Sequence, residues 1–324
     1  MSAARAIRHA LVAAALGLAV VAKPCAADTY PSQTITFVVA FAAGGIADVV
    51  ARLVGIRLGD RLGHTVVVEN RGGAGGNLAA KAVSAAAADG YTILATTSAL
   101  AVNETATKNK GFSTDDLNPV AIVAFSPDVI AVHPGNPAKD LREFVAAGRE
   151  KSFTYGSAGV GTGPHIGAEY FFRVIADVKA VHVPFTGGAP AVAAAAGGHI
   201  DAVVLTLPTV TPQINQGALR GLGLASDKRN SAVPDVPTYA EMGFPDFRSG
   251  SWVGFFVPAK TPQAIVTKLN AEINDVIKGA EAQERLKGVG FDPMIEPYNR
   301  TAAYFRDDVA RWGKMTAAVG LSAQ

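Results

Sequence analysis

Three segments repeat one arrangement: an apolar run, a glycine-bearing loop, then the start of a helical pattern. They are 41–48 (FAAGGIAD), 155–165 (YGSAGVGTGPH) and 185–190 (FTGGAP). A helix start leaves up to four amide N–H groups without intrahelical partners, and the aligned peptide dipoles add about half a positive charge there. Glycines let the backbone approach a ligand closely or take positive φ. The combination can hold a small anion without a lysine or arginine. Ser157, Thr162 and Thr186 add hydroxyls able to donate to carboxylate oxygens. Asp48 stands apart, as an acid in an anion site. In a first helical turn it complements the dipole and can pair with Arg52 four residues on, or it orders the loop or holds a bridging water.

Other chemistries find less support. The six histidines (His9, His64, His133, His165, His182 and His199) form no HxxxH or HxH set, so local metal ligation is not expected. His165, at a helix start, reads as a loop stabiliser rather than a base. The 71–76 loop (RGGAGG) lacks the Gly-Lys-Ser/Thr ending of a P-loop and the third glycine of a dinucleotide fingerprint, so no phosphate or nucleotide cofactor is expected. Ser157 sits in YGSAG, which misses the first glycine of the GxSxG elbow. A secreted serine hydrolase using Ser157, His165 or His182, and Asp201 is the enzymatic alternative.

The elements that must position these loops follow from composition and pattern. The chain has 324 residues, 49% hydrophobic and 17% charged, with a single cysteine. Average domains are about 25% charged, so the apolar surface is ample for a packed core, and a disulfide or Cys-based metal scaffold is excluded. Arg5 and Arg8 precede an uncharged run over 10–22, followed by Lys23, Pro24 and Cys25-Ala26-Ala27. This is a secretory signal-peptide pattern with a cut after Ala27, too short to span a bilayer. Removing it takes Arg5, Arg8 and Lys23 with it, which leaves 26 basic residues against 27 acidic ones. No basic field remains to draw in nucleic acid.

Beyond the leader, β-rich runs alternate with helical patterns, which predicts an α/β fold with parallel strands. Strands are expected over 34–41, 65–70, 91–97, 120–125, 129–132, 181–185, 202–205, 219–225 and 252–257, with a short one from 154. Helices are expected from 46, over 77–88 and 141–149, from Pro164, near Pro190, from Thr261-Pro262 and over about 300–319. Tyr304, Phe305, Val309 and Trp312 are the anchors of the last. Thr238 and Glu241 have capping-box spacing. No linker divides the chain, so two lobes joined by more than one crossing are expected, with the C-terminal part returning to the first lobe.

The ordered set FAAGGIAD, VENRGGAGGNLAAKAV, ADGYTIL, YGSAGVGTGPHIGAE, HVPFTGGAPAV, GGHIDAV, GALRGLGLAS, VPTYAEMGFPDF, SWVGFFVPAKTP and Arg311-Trp312 resembles the Bug-type solute-binding proteins, the extracytoplasmic receptors of tripartite tricarboxylate transporters. The resemblance covers essentially the whole chain after residue 27. It implies a type II periplasmic-binding-protein fold, two α/β lobes with a ligand cleft between them. The corresponding division is a signal peptide (1–27), lobe 1 (28–124), lobe 2 (125–225) and a return to lobe 1 (226–324). It implies a monomeric, non-catalytic periplasmic receptor, without cofactor or metal. Such a receptor takes a small organic acid (a di- or tricarboxylate or an aromatic acid) and delivers it to membrane permease subunits. A sensor for a membrane signalling protein is the variant reading. Carried over residue by residue, one end of the ligand falls to Phe41, Ala42, Gly44, Gly45, Ile46 and Asp48. The other falls to Ser157, Gly161, Thr162, Gly163 and His165, with Thr186, Gly187 and Gly188 on a further loop. The family usually has prolines at Ala42 and Ala43, a tyrosine at Phe185, a lysine at Thr186 and a more polar pair at Leu205-Thr206. This chain's pocket is therefore expected to be less polar.

Overall fold

The computed structural model describes residues 30–321. The expected leader and its cut after Ala27 lie outside them. In chain order the structure opens with β1 (Ile35–Val39), α1 (Ile46–Leu62), β2 (Val66–Asn70), α2 (Asn77–Ser84), β3 (Thr92–Thr97) and α3 (Ala99–Ala106). A long strand, β4 (Leu117–Val132), leads to α4 (Leu141–Glu150), β5 (Phe153–Ser157), α5 (Gly163–Tyr170), β6 (Ala180–Pro184), α6 (Gly188–Ala196), β7 (Ala202–Thr206), α7 (Leu207–Asn215) and β8 (Arg220–Leu224). The chain then forms β9 (Gly250–Pro258), α8 (Gln263–Lys278), α9 (Ala280–Gly288), β10 (Asp292–Pro293) and α10 (Tyr298–Ala318).

Strand direction fixes where the loops go. β1 pairs in parallel with both β2 and β3. β9 is antiparallel to β3, and β4 to β9, so β4 runs the same way as the first set. Along its second half β4 pairs antiparallel with β7, which is parallel to β5, itself parallel to β6. The two parallel sets therefore point toward each other along β4. The last residue of β3, Thr97, is level with Val253 and through it with Ala124. The last residue of β7, Thr206, is level with Asp128. Four residues of strand separate those levels, about 13 Å at 3.3 Å per residue.

β4 replaces the two separate strands expected on either side of Ser126-Pro127. A proline removes a ladder donor and normally ends or edges a strand. Here Pro127 is level with Gly250, and the next residue already pairs with Thr206, so the missing N–H falls where β4 changes partners. Two other segments cross at this level, and main-chain bonds close the three into a ring. Asp128 N–H donates to Ser249 O (2.9 Å), Ser249 N–H to Ala225 O (3.1 Å) and Ala225 N–H to Asp128 O (2.9 Å). These ties, and α10 packing on α3, β4 and α5, make one compact unit of the chain from Gln33 onward.

Helix ends largely follow their signals. α4 is capped by Asp140, which accepts from Glu143 N–H (2.9 Å). Thr238 and Glu241 do bond reciprocally, but they close a turn rather than a helix. The helix expected over 77–88 ends at Ser84. α3, α7 and α9 had not been anticipated; each is short, at eight or nine residues. Of the four expected anchors on α10, Phe305 and Trp312 are buried, while Tyr304 and Val309 pack against the core from its margin. The organising acid of this helix is Asp308, 4% exposed, which accepts from the indole Nε1 of Trp252 (2.8 Å) and of Trp312 (3.1 Å) and pairs with Arg311.

Asp308→Ala would orphan two buried indole donors and leave the Arg311 cation without its partner. An unpaired buried donor costs about 1–3 kcal/mol, so the expected loss is about 3–5 kcal/mol, read as a lower midpoint in urea denaturation.

Candidate ligand-binding site

The first loop leaves β1 at Ala40 and enters α1 at Ile46. Gly44 takes φ +81°, open to glycine at no steric cost, and so turns the chain into the helix. Asp48, 3% exposed, orders the loop from inside. Its Oδ2 accepts from Gly44 N–H (2.9 Å) and Arg52 Nε (3.1 Å), and its Oδ1 from Asn70 Nδ2 (2.9 Å). Asn70 Nδ2 also reaches Phe41 O (3.1 Å). The Arg52 bond, with the Gly44 and Asn70 bonds behind it, outweighs burial and holds the Asp48 carboxyl down at about 2. The helix-surface pair with Arg52 and the loop-ordering role are thus both realised.

This arrangement corrects which amides are open to an anion. Gly44 N–H belongs to Asp48, and Gly45 N–H closes a turn onto Ala42 O (3.3 Å). The amides of Ala42, Ala43, Ile46 and Ala47 have no partner among the described residues. Donors are present, but on the loop's first residues and at the entry of α1 rather than on its glycines.

The second loop is held by two stacked imidazoles. Gly161 N–H donates to His165 Nδ1 (3.0 Å), whose ring lies on that of His182 with centroids 3.9 Å apart and planes 25° off parallel. His182 Nε2 meets Ser157 Oγ at 2.8 Å, and Ser157 Oγ in turn touches both the N–H and the carbonyl of Gly159. Thr162 Oγ1 donates to Gly159 O (2.8 Å). Burial, reinforced by the neighbouring His182, pushes His165 down to about 4, and burial lowers His182 as well. Both rings are neutral at neutral pH, and His165 acts as the loop stabiliser the sequence suggested. Ser157 and Thr162 are spent on the loop itself, so neither hydroxyl is free as expected. The open amides here are those of Gly163 and His165, in the first turn of α5.

The third loop leaves β6 through Phe185, whose N–H donates to Ser157 O (3.2 Å), so it lies against the second. Thr186 is exposed, and the amides of Gly187 and Gly188 are unpartnered among the described residues. A side chain at Gly188 would overlap Thr209 of α7, so this position needs a glycine for packing. Three further groups sit at the converging strand ends without a motif to announce them: Ser98, whose Oγ donates to Ser251 Oγ (3.0 Å), Thr206 and Asp128. For Ser98 and Thr206 the hint was position, a hydroxyl residue at the end of an apolar run, and Thr206 also falls in the Leu205-Thr206 pair noted above; Asp128 had no such signal.

The hydrolase constellation does not form. Ser157 meets His182, but Ser157 is fully buried, and Asp201 instead accepts from Thr154 N–H and Oγ1 (both 2.8 Å). Among the described residues no cluster of His, Cys, Asp or Glu could hold a metal ion. A concavity of about 750 Å³ beside the strand crossings, lined by Phe125, Ala225, Arg248, Tyr304 and Arg311 among others, includes no residue of the three loops. Its arginines are paired with Asp227, Glu296 and Asp308, so they offer an anion no uncompensated guanidinium.

Two α/β lobes with glycine loops at opposed strand ends define the class: the type II periplasmic-binding-protein fold. Residues 50–321 match the model of the tripartite tricarboxylate transporter family receptors, and the chain belongs to that family. It is 32% identical to Protein BugT of Bordetella pertussis, over 96% of this chain and 97% of that one. Solved structures agree. R. palustris Rpa4515 with adipate superposes with a TM-score of 0.79 at 28% identity, covering 91% of this chain and all of the other. MatC of Rhodopseudomonas palustris with bound malate gives 0.73 at 30% identity, covering 88% and 99%. Members of this Bug-type family are solute-binding receptors and not enzymes.

Asp48 has its carboxyl depressed by native contacts, so its contribution is present above about pH 4 and is lost as pH falls toward 2. Allowing for solvent around the half-exposed Arg52, the contribution is about 1–2 kcal/mol. Asp48→Asn should lower the melting temperature at pH 7, and the gap from wild type should close between pH 4 and 2 in calorimetric scans.

Proposed function

We propose that the protein is a periplasmic receptor that captures a small organic carboxylate between its lobes and passes it to the membrane subunits of a tripartite tricarboxylate-type transporter. The observation that carries this reading is the convergence of unpaired first-turn amides. Those of α1 and those of α5 and α6 sit at the ends of two strand sets that point toward each other across about 13 Å of β4. Solvent exclusion on closure would strengthen such amide–carboxylate bonds, which are charge-assisted. The chemistry supports an acid as ligand, since the groups the loops leave unpaired are amide donors. Their side chains also favour an acid with an apolar body. Ala42 and Ala43 are exposed, Phe41 and Phe185 half-buried, and Val160 at the loop tip is 67% exposed.

The known ligands of relatives, adipate in one and malate in another, fit this class. The crossing at Ser126–Asp128 supports the first boundary of the lobe division 28–124, 125–225 and 226–324, whereas the packing of Val233 and Val236 with Val203 and Leu224 favours a return to lobe 1 nearer Ser249 than 226. A periplasmic address accords with the leader pattern and with family membership. Among the described residues no helix is long and apolar enough to cross a membrane.

Two measurements test the proposal. A melting-shift screen with mono-, di-, tricarboxylic and aromatic acids should give at least one ligand that raises the melting temperature in proportion to the logarithm of its concentration. No shift across the panel would overturn the reading. Ile46→Pro removes one open amide at the first helical position, where proline is tolerated. Gly45, at φ −71° and ψ 164°, already has the backbone that a following proline requires. Calorimetry with the acid found should show affinity about 10–100-fold weaker, the worth of one hydrogen bond to a charge, with Ile46→Val close to wild type.

A further inference from the structure

The place where the chain crosses between lobes contains a buried acid that none of the three glycine loops uses. Asp128 is 2% exposed. Its main chain is part of the ring that ties β4, the exit from β8 and the entry to β9. Its side chain spans the same node: Oδ2 accepts from Ser249 Oγ (2.5 Å) and Oδ1 from Thr206 Oγ1 (3.2 Å). Ser249 belongs to the returning chain and Thr206 to the end of β7, so any rotation of one lobe about the node changes the separation of these two hydroxyls. α5 covers the carboxyl with Gly167; a side chain there would overlap Ser249 Oγ and come within 3.6 Å of Asp128 Oδ2. Arg311 on α10 and the buried Tyr239 phenol are the other charged or titratable groups that act on it, and neither makes an ion pair or hydrogen bond with it.

We propose that Asp128 is the positioning residue of the hinge, and that its charge state sets the balance between open and closed lobes. The proposal rests on the receptor reading above. The physical reason is solvation. An ionised carboxylate held by two hydroxyls in a dry node gains from any motion that admits water, whereas a neutral carboxyl does not. Burial raises Asp128 to about 6, although the bonds from Ser249 and Thr206 and the field of Arg311 pull the other way. For an acid raised above its unfolded value of 3.8, native stability is greatest in acid, falls as pH climbs from about 4 to 6, and is then flat. Acidification through 6 therefore favours the closed, dry node.

The test uses the ligand-free protein, so its outcome does not depend on which acid binds. Small-angle scattering and the fluorescence of Trp252 and Trp312, the only two tryptophans, are followed from pH 7.5 to 4. Wild type should become progressively more compact as pH falls from 6 toward 4. Asp128→Asn should stay compact and show no transition. It should also melt several degrees above wild type at pH 7.5, where wild type carries the full cost of the buried charge. Thr206→Val removes one bond that favours the ionised form, so its midpoint should move upward. A wild type with no transition, or a transition unchanged in both variants, would overturn the proposal. Carboxylate titrations at pH 7.5 are read separately. A protein that binds no acid yet compacts as pH falls from 6 toward 4 would sink the receptor reading and leave the pH-sensitive node standing.

Discussion

β4 changes partners within one residue, and the geometry of the whole molecule depends on it. Up to Pro127 it lies beside β9, and from Asp128 it lies beside β7. β9 and β7 are both antiparallel to it, but β3 turns back against β9 while β5 runs with β7, so the two parallel sets run head to head. Glycine loops follow the carboxyl ends of parallel strands in any α/β sheet. Here two such sets are aimed at one another, and the proposed site is the space between their ends, where unpaired amides lie on both sides.

The three loops of the proposed site contain no lysine or arginine. The Arg52 charge is absorbed by Asp48, and the two imidazoles behind the second loop are kept neutral by burial. What remains is a set of dipoles, whose reach is short and whose worth depends on water being excluded. On the receptor reading proposed above, lobe closure would supply that exclusion, and binding and closure would be linked as a shift between conformations, the ligand favouring the one in which its charge is met. The hinge node gives the same closing motion a second electrostatic input, through a carboxyl whose solvation changes with it.

The correction at the first two loops has a simple cause. A glycine loop that offered every amide to a ligand would have nothing to hold its shape. Gly44 is held by Asp48, Gly45 by Ala42, and Gly161 by His165. The donors left over lie on either side of these braced positions. Loop ordering was among the roles legible for Asp48 and His165 from their types and places at helix starts. The partners that make them so, Asn70 and His182, come from 22 and 17 residues away and carry no local signal.

The sequence by itself determined the alternation of strand and helix, the three glycine loops, the absence of a metal or nucleotide motif, and the family, because all of these are written in residue types at short range. Even the split of β4 that it suggested was reasonable, since proline in an isolated strand is a break. Only the tertiary structure decided that Pro127 sits where no ladder donor is needed, and that Asp128, Ala225 and Ser249 close a ring. It also decided that Ser157 is sealed from solvent. Each depends on groups far apart in the chain being brought within hydrogen-bond range, and no local pattern encodes a distance of that kind.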